Sequence, residues 1–229
     1  LRKDICRSRK NIYKSIMGGA EYMKSIKKYE TIINEALRSA LEYDTPEGQI
    51  NEFISFFGKH IGSDRIYIFE DDEEHHVTNN TYEWCAEGIT PQIEHLQGVN
   101  MEVIDWWYDT FDEGKSVIIS DVEELKGVHQ VSYNMLKYQN VCKVVVSPLR
   151  HKGQIKGFFG VDNPPAVDYN ALTMFLDMIG TMLISLLKIR NTFQKEQYNA
   201  SMSSYSALSE IYLCCLLYTS PSPRDRTRS

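Results

Sequence analysis

The amino-acid sequence predicts an α+β fold, an α/β sandwich in which helices flank an antiparallel sheet. Apolar residues recur at helical spacing over residues 29–41 and again over 50–61. The segments with strand character, by contrast, come in neighbouring pairs joined by short loops. Paired strands with short connections are typical of antiparallel sheets, and helices before and after them are typical of α+β domains.

The boundary between the first two predicted helices carries a clear start signal. Thr45 is a suitable N-cap, Pro46 fits the first helical position, and Glu47 is favourable at the positive end of the helix dipole. Gly62 is expected to end this second helix. Its buried face is predicted to consist of Ile50, Phe53, Ile54, Phe57 and Ile61.

Strand character appears in five segments, which are residues 65–70, 81–86, 117–119, 141–149 and 155–161. In the first segment Ile66 and Ile68 share one face, and Tyr67 and Phe69 share the other. The second segment places Trp84 on one side together with Tyr82 and Ala86, and the two segments are expected to form a hairpin. Further helices are predicted over residues 101–112, over 131–138 and from 168 onward.

The charge distribution argues against a nucleic-acid partner. The chain of 229 residues has a net charge of -6, although residues 1–28 hold nine Lys and Arg against two carboxylates. The remaining globule is therefore strongly acidic and repels a phosphate backbone. Residues 1–28 are interpreted as a basic solvated linker or the end of an upstream domain, with contact to an anionic membrane surface as the alternative.

The chain is expected to be cytoplasmic, without direct membrane insertion. No stretch approaches eighteen consecutive apolar residues, and the first residues lack a signal peptide. The five cysteines contain no CxxC spacing, which favours reduced thiols and no zinc site. The absent initiator Met leads us to expect a piece of a longer protein.

Three side-chain groups are candidates for sites of chemistry. His75 and His76 follow an acidic loop, yet adjacent side chains point apart, so a solvated loop is favoured and no metal is expected. Asp121 and Asp162 each follow a strand and are interpreted as turn residues rather than as paired carboxylates. A nucleophile and base drawn from Cys85, Cys142, His129 and His151 is the third possibility. Buried structural thiols are favoured over it, so we expect no catalytic residue and no enzyme.

The C-terminal residues 214–229 are expected to be an artefactual tail. Residues 215–225 read CLLYTSPSPRD, which resembles the translation of a transposase-type sequencing adapter. We therefore expect Leu216 and Leu217 to lie off the fold, unburied. A disordered Ser/Pro linker is the alternative.

The late helix has the spacing of a coiled coil. Its apolar positions recur at intervals of four and three residues and predict a parallel homodimer through Ile179, Leu183, Leu186 and Arg190. A second stripe runs beside them through Phe175, Met178, Met182 and Ile189. Burial of the first stripe within a single domain is the competing interpretation. Residues 191–213 are predicted to be a connecting helix toward an output domain.

Residues 29–190 resemble a GAF domain, a sensory module built on an antiparallel sheet flanked by helices. The likeness rests on residues 64–69, on 117–121, and on a closing hairpin whose segments 144–149 and 157–162 resemble the family's "PL…G…G…GV" ending. The Asp162-Asn163-Pro164-Pro165 ending resembles clostridial-type bacterial signalling proteins that continue into a GGDEF diguanylate cyclase or a histidine kinase. The Cys–His pair that attaches a bilin and the Asn-Lys-Phe-Asp-Glu pattern of cyclic-nucleotide GAF domains are missing, so no cofactor is expected.

The resemblance implies a sensor that binds an unknown small-molecule effector and signals through dimeric helices to an output domain in the same polypeptide. Ligands of GAF domains sit beside the sheet, in the middle segment of the chain. The residues that we place there are Trp84, Trp106, Trp107, Tyr108, Ile119 and Asp121. Core packing competes with this interpretation, and only one of Trp106 and Trp107 can point fully inward. A ligand-free dimerisation spacer and a thiol-dependent enzyme resembling free methionine sulfoxide reductase are the alternative functions.

Overall fold

The computed structural model describes the backbone of residues 2–165 and 169–219, and the side chains of residues 19, 22–165 and 169–203. Its helices are α1 (Arg2–Ala40), α2 (Pro46–Ile61), α3 (Asp105–Asp112), α4 (Gln130–Tyr138) and α5 (Tyr169–Thr219), with 3₁₀ turns at Met101–Ile104 and Val122–Leu125. Its strands are β1 (Arg65–Asp72), β2 (Val77–Cys85), β3 (Val99–Asn100), β4 (Val117–Ile119), β5 (Val144–His151) and β6 (Gln154–Asp162).

The six strands form one antiparallel sheet in the order β3-β2-β1-β6-β5-β4. Strand β1 lies near the centre, hydrogen-bonded to β2 and to β6. The two predicted hairpins are present as β1–β2 and β5–β6. The prediction of an α+β fold with an antiparallel sheet and flanking helices is therefore confirmed. The two-residue strand β3 was not predicted, because a segment this short has no recognisable alternation.

The two faces of the sheet are covered by different elements. On one face, Ile66 and Ile68 of β1 are fully buried, and the ring of Phe57 from α2 lies 6.3 Å from that of Phe159 on β6. On the other face, Tyr67 and Phe69 join a separate core cluster with residues of β3, α3, β4 and α4. The alternation predicted for β1 is confirmed, and it separates a helix-packed face from a face that carries the smaller elements.

Helix α2 has the ends that the sequence predicts. The Thr45 Oγ1 accepts a hydrogen bond from the backbone N–H of Gly48 at 3.2 Å, and Pro46 is the first helical residue. Gly62 takes a left-handed conformation with φ 78°, and its N–H donates to the carbonyl oxygen of Gly58. These caps fix where the chain turns from α2 into β1.

Helix α5 packs on the domain through the face that was predicted to form a dimer. The Phe175 ring lies 5.7 Å from that of Tyr29 in α1. Ile179 and Leu183 are 1% and 0% exposed within a single chain. The prediction that these two residues lie in an intermolecular seam is wrong, because the four–three spacing marks the face that covers the domain's own core. Leu186 is only half-buried.

The chain forms two compact units, Leu1–Leu186 and Leu187–Ser229. In the second unit the helix continues to Thr219, and every side chain from 191 to 203 is exposed. The Arg190 guanidinium donates to the Asn191 side chain, with Nε at 3.0 Å from Oδ1. By length and composition, the helical stretch Tyr169–Ser203 would suffice to cross a membrane, which is weak evidence when part of it packs as a core helix.

The predictions for the two ends of the chain lie partly outside the described residues. The helical backbone reaches Thr219, but the side chains of Leu216 and Leu217 and all of residues 220–229 are outside the description. At the other end, α1 begins at Arg2, while the side chains of residues 1–18 are likewise outside it. The interpretations of residues 1–28 as a linker and of 214–229 as an artefact stay predictions.

Two helical glycines allow a matched test of packing. A Cβ on Gly58 would overlap the Trp84 ring, whereas a Cβ on Gly180 would meet its nearest atoms at 3.5 Å. We expect Gly58→Ala to lower the free energy of unfolding by about 1–3 kcal/mol through overpacking. Gly180→Ala is expected to be neutral or to stabilise by up to about 1 kcal/mol, since alanine favours helix. Urea denaturation measures both, and equal effects would contradict the close packing at Gly58.

Candidate functional site

The register of the central strands brings three charged side chains together in the interior. Arg65, the first residue of β1, pairs with Cys85 on β2 and with Asp162, the last residue of β6. Glu83 lies two residues back from Cys85, opposite Tyr67. Because side chains alternate along a strand, all five project to the face that carries α3 and α4. The Arg65, Glu83 and Asp162 side chains are each at most 3% exposed.

Arg65 connects five separate parts of the domain. Its Nη1 donates to Asp162 Oδ2 at 2.8 Å and to Gln139 Oε1, at the end of α4, at 3.3 Å. Its Nη2 donates to the carbonyl oxygen of Thr90 at 3.0 Å, in the loop after β2. Its Nε lies 3.4 Å from Glu83 Oε1. A guanidinium with rigid, planar donors is well suited to hold such a junction.

Glu83 secures the same loop from the other side. Its Oε2 accepts the backbone N–H groups of Gln92 at 2.7 Å and Ile93 at 3.1 Å. Its Oε1 accepts from the Asn80 side chain at 3.2 Å. The Glu83 carboxylate is therefore hydrogen-bonded through both oxygens, so its buried charge is compensated locally.

A small cavity of about 40 Å³ lies against this cluster. Its walls are largely apolar, and three aromatic rings, those of Tyr67, Phe69 and Phe158, come from the sheet. The complete lining is Arg65, Tyr67, Phe69, Leu96, Val99, Ile104, Trp107, Met135, Leu136, Gln139, Phe158 and Asp162. A space of this size holds a few waters or a molecule of a few heavy atoms.

Three buried polar atoms on the residues that line the cavity have no hydrogen-bond partner within the described part of the chain. They are Arg65 Nε, Trp107 Nε1 and Asp162 Oδ1, although Arg65 Nε still faces Glu83 Oε1 at an ion-pair distance of 3.4 Å. Buried polar atoms are nearly always paired in folded proteins, so Trp107 Nε1 and Asp162 Oδ1 can each form a hydrogen bond with water or a bound molecule. Two of the three atoms are donors and one is an acceptor.

A larger polar groove of about 370 Å³ lies next to the cavity and shares Arg65, Gln139 and Asp162 with it. The groove is otherwise lined by the loop from Gly88 to Gln92 and by residues around Asn140 and Asn163. The three shared side chains therefore stand between an apolar interior and a polar opening. This arrangement of apolar walls with a few convergent polar groups is typical of small-molecule sites.

The electrostatics of the cluster centre on Asp162. Burial raises the pKa of the Asp162 carboxyl to about 6, although the Arg65 charge and the nearby Tyr67 hydroxyl both act to lower it. Burial also raises the pKa of the Tyr67 hydroxyl well above its ordinary value, and the Asp162 charge adds to this effect. The pKa of the Cys85 thiol is raised by burial and by Glu83, so this thiol is a poor nucleophile.

Comparison with known proteins identifies the fold. No family model and no curated protein matches the sequence. Solved structures do match. The GAF domain of a phosphoenolpyruvate-protein phosphotransferase from Coxiella burnetii aligns with a TM-score of 0.59 at 10% identity, over 74% of this chain and 98% of its own. The phycocyanobilin-bound GAF domain of a cyanobacterial phytochrome aligns with a TM-score of 0.56 at 16% identity, over 73% and 96%. The chain folds as a GAF domain.

The GAF fold is also shared by an enzyme. The free methionine-R-sulfoxide reductase from Neisseria meningitidis, solved with its substrate, aligns with a TM-score of 0.54 at 11% identity, over 73% of this chain and 92% of its own. At such identities the likeness concerns the fold alone, and the chemistry of this GAF domain depends on its own residues.

Trp107 is the predicted site residue that lines the cavity of this GAF domain, and it is 3% exposed. Its neighbour Trp106 turns outward, stacks on His129 with ring centroids 4.3 Å apart, and donates to Ser132 Oγ at 3.1 Å. The two adjacent tryptophans thus point in different directions, as predicted. Trp106 fastens α3 to α4 and does not line the cavity.

Tyr108 lies beside the cavity, in the same core. Its hydroxyl donates to Asp71 Oδ1 at 2.7 Å, and its ring packs against Phe111 and Phe158. Burial, with the adjacent Asp71 charge, raises the pKa of the Tyr108 hydroxyl. Ile119 is buried in this core, opposite Val144 in the β4–β5 ladder. Neither residue is among those that line the cavity.

Two predicted site residues lie elsewhere. Trp84 pairs with Ile66 and therefore projects to the helix-packed face, where it covers Gly58 of α2. Its assignment to the ligand pocket was wrong, because the strand alternation that puts Glu83 and Cys85 toward the cavity turns Trp84 away. Asp121 is exposed and caps the 3₁₀ turn at Val122–Leu125 by accepting the N–H of Glu123 at 3.0 Å. Its interpretation as a turn residue describes its role.

Sequence reasoning missed Arg65 and Glu83, and it interpreted Asp162 as a turn residue. Asp162 is instead the last residue of β6 and 2% exposed. One signal was available, since Arg65 opens an otherwise apolar strand and a buried charge requires a partner. The partner lies 97 positions away. Its identity depends on the strand register, which the sequence does not show.

The remaining groups of interest do not form a site in the described part of the chain. No group of three or more His, Cys, Asp or Glu side chains there is close enough to hold a metal ion. His75 Nδ1 instead lies 2.8 Å from Asp72 Oδ2, and both side chains are well exposed. Cys85 ends β2 and Cys142 precedes β5, so strands β1 and β6 lie between them.

The raised pKa of Asp162 makes a specific contribution to the pH dependence of stability. An unfolded carboxyl ionises near pH 4, whereas the folded Asp162 holds its proton until about pH 6. Unfolding between these values releases a proton, so this residue makes stability fall as pH rises, by up to about 3 kcal/mol, and the loss persists above pH 6. We expect Asp162→Asn to remove that component, as measured by urea denaturation from pH 4 to 7.

Glu87→Gln is the matched control, because it removes an exposed carboxyl near the same end of β2. It should keep the wild-type pH dependence. An Asp162→Asn profile parallel to that of the wild type would show that Asp162 is not protonated in the folded domain at pH 5.

Proposed function

We propose that this GAF domain is a sensor that binds a small molecule in the cavity beside Arg65, Trp107 and Asp162 and passes the signal to α5. The observation that carries the proposal is a pair of buried polar atoms, Trp107 Nε1 and Asp162 Oδ1, that lack a hydrogen-bond partner among the described residues and belong to side chains lining one cavity. A domain that served only as a spacer would gain stability by closing this space or by pairing these atoms. The neighbouring groove supplies a route of entry.

Only a few residues of the chain separate Asp162 from the start of α5, where we propose that the signal is passed on. Directly after Asp162, the Asn163 side chain accepts the N–H groups of Cys142 at 2.7 Å and Lys143 at 3.0 Å and donates to Asp64 at 2.7 Å. Asn163 also has φ 48°, a left-handed conformation that asparagine adopts more readily than most residues. Its contacts tie the end of β6 to the segments that lead into β1 and β5. Helix α5 begins at Tyr169.

A ligand would act by favouring one of two arrangements of this junction. A ligand that contacts Asp162 would also affect the adjacent Asn163, which precedes the start of α5 in the chain. Only a ligand that binds the two arrangements with unequal affinity can shift their populations. The output we propose is a domain that follows in the same polypeptide, a diguanylate cyclase or a histidine kinase, in a cytoplasmic bacterial signalling protein.

The proposed partner is a second copy of the chain, through a different stripe from the one first predicted. Met174 and Met178 are 46% and 52% exposed. Their spacing of four residues places them on the same side of α5, one turn apart. Exposed apolar side chains at helical spacing are suited to pair with an identical helix. A parallel pair would deliver both output domains to the same end.

The thiol-dependent enzyme is less well supported. With two strands between them, Cys85 and Cys142 are about 14 Å apart across the sheet. A disulfide requires Cα atoms within about 7 Å. The two cysteines whose side chains the structure describes therefore cannot act as an attacking and resolving pair without a large rearrangement.

Filling the cavity tests the sensing proposal. Val99 lines the cavity from the edge strand β3 and is only half-buried, so Val99→Phe can place a ring into the space at moderate cost in stability. A small-molecule screen by thermal shift on the wild-type chain is expected to yield binders that raise Tm by several degrees. Val99→Phe should abolish that shift. Binders that stabilise both proteins equally would place the ligand elsewhere and contradict the proposal.

A charge introduced into the exposed stripe of α5 tests the proposed dimer. Met178→Glu places a carboxylate in the exposed stripe and should convert a dimer into a monomer with an unchanged circular dichroism spectrum. Gln154→Glu introduces the same charge at the exposed first residue of β6, outside α5, and should leave the dimer intact. Light scattering at high micromolar concentration measures both. A wild-type chain that is monomeric there would contradict the proposed partner.

A further inference from the structure

We infer that the cavity of this GAF domain selects a small, flat cation that carries N–H donors, such as an amidinium or a protonated nitrogen heterocycle. The inference rests on the proposed function, since it names the chemistry of the ligand for the same site. Its basis is the balance of charge around the cavity together with the atoms that lack partners.

The buried cluster holds one positive and two negative side chains. Arg65 faces Asp162 at 2.8 Å and Glu83 at 3.4 Å, so its single charge is shared between two carboxylates. Glu83 is compensated further by two backbone N–H groups and an amide. Asp162 has weaker support: beside Arg65 it has the nearby Tyr67 hydroxyl, which also stabilises its charge, but its Oδ1 makes no hydrogen bond within the described part of the chain and its side chain lines the cavity. The uncompensated charge at the cavity is negative.

The raised pKa of the Asp162 carboxyl agrees with this balance. The group holds a proton up to about pH 6 because its charged form is poorly supported in the interior. A ligand cation would replace that proton, donating an N–H hydrogen bond to Oδ1 and compensating the charge. An anion would be repelled by two buried carboxylates, and the one guanidinium present is already paired with them.

The rest of the cavity favours a flat cation. Tyr67, Phe69, Phe158 and Trp107 present aromatic rings around it, and the Phe69 and Phe158 rings are stacked at 4.6 Å. Aromatic faces attract cations and accept flat molecules. The unpartnered Trp107 Nε1 adds a donor, so a ligand nitrogen or oxygen acceptor beside the cationic group would complete the site. The volume of about 40 Å³ limits the part held inside to a few heavy atoms.

The experiment uses three molecules of one shape and different charge: acetamidinium, acetamide and acetate. The chain contains three tryptophans, so its nitrogen-15 NMR spectrum has three indole N–H signals, and Trp107→Phe assigns the one from the cavity. At pH 7.5 we expect acetamidinium to shift the Trp107 signal at millimolar concentration, with an affinity at least tenfold above that of acetamide or acetate. Asp162→Asn should remove this preference, and the control Glu87→Gln should retain it.

A second measurement needs only the wild-type chain. Because the cation competes with a proton for Asp162, its affinity should fall about tenfold per pH unit below pH 6, whereas acetamide binding should not change. Stronger binding of acetate or acetamide at Trp107 would overturn the inferred ligand class and leave the sensing proposal standing. Absence of any acetamidinium shift up to about 100 mM would also overturn it. The response of Val99→Phe in the screen decides the sensing proposal independently.

Discussion

The buried guanidinium of Arg65 is the interaction on which the architecture of the site depends. It bonds to the end of β6, the end of α4 and the loop after β2 while standing at the start of β1. Ion pairs in the interior carry a large desolvation cost and hold only when every partner is placed correctly. Arg65 therefore makes three features depend on one another: the strand register, the loop held by Glu83 and the end of α4. The cavity lies beside this junction.

The two faces of the sheet differ in how tightly they pack and in how polar they are. Ile66, Ile68 and Phe159 pack tightly under α2, and Gly58 lets Trp84 approach closely. The opposite face contains the cavity, the ion cluster and unpaired polar atoms. Tight packing provides stability, and local departures from it are expected where a protein binds something. On this second face, the packing and hydrogen bonding are incomplete around the cavity.

The sequence predicted local structure well and long-range placement less well. The caps of α2, the alternation in β1 and the different directions of Trp106 and Trp107 follow from local chemistry and were confirmed. Which of the two tryptophans points inward was not predicted. Trp84 was misplaced because its face depends on the pairing of β2 with β1, where Thr81 forms a bulge beside Ile68. Ile179 and Leu183 were misassigned because a heptad spacing looks the same whether the helix packs on its own domain or on a partner. Asp162 was missed because its partner Arg65 is distant in sequence.

The separation of the two faces has a consequence for how such a domain changes during evolution. Residues that determine what fits the cavity, such as Val99, Met135 and Leu136, do not belong to the surfaces on which α2 packs. Substitutions among them can therefore retune specificity while the connection from Asn163 into α5 stays the same. Under the sensing role that we propose, a lineage could exchange one ligand for another by such substitutions while the acidic end of β6 and its link to α5 stay unchanged.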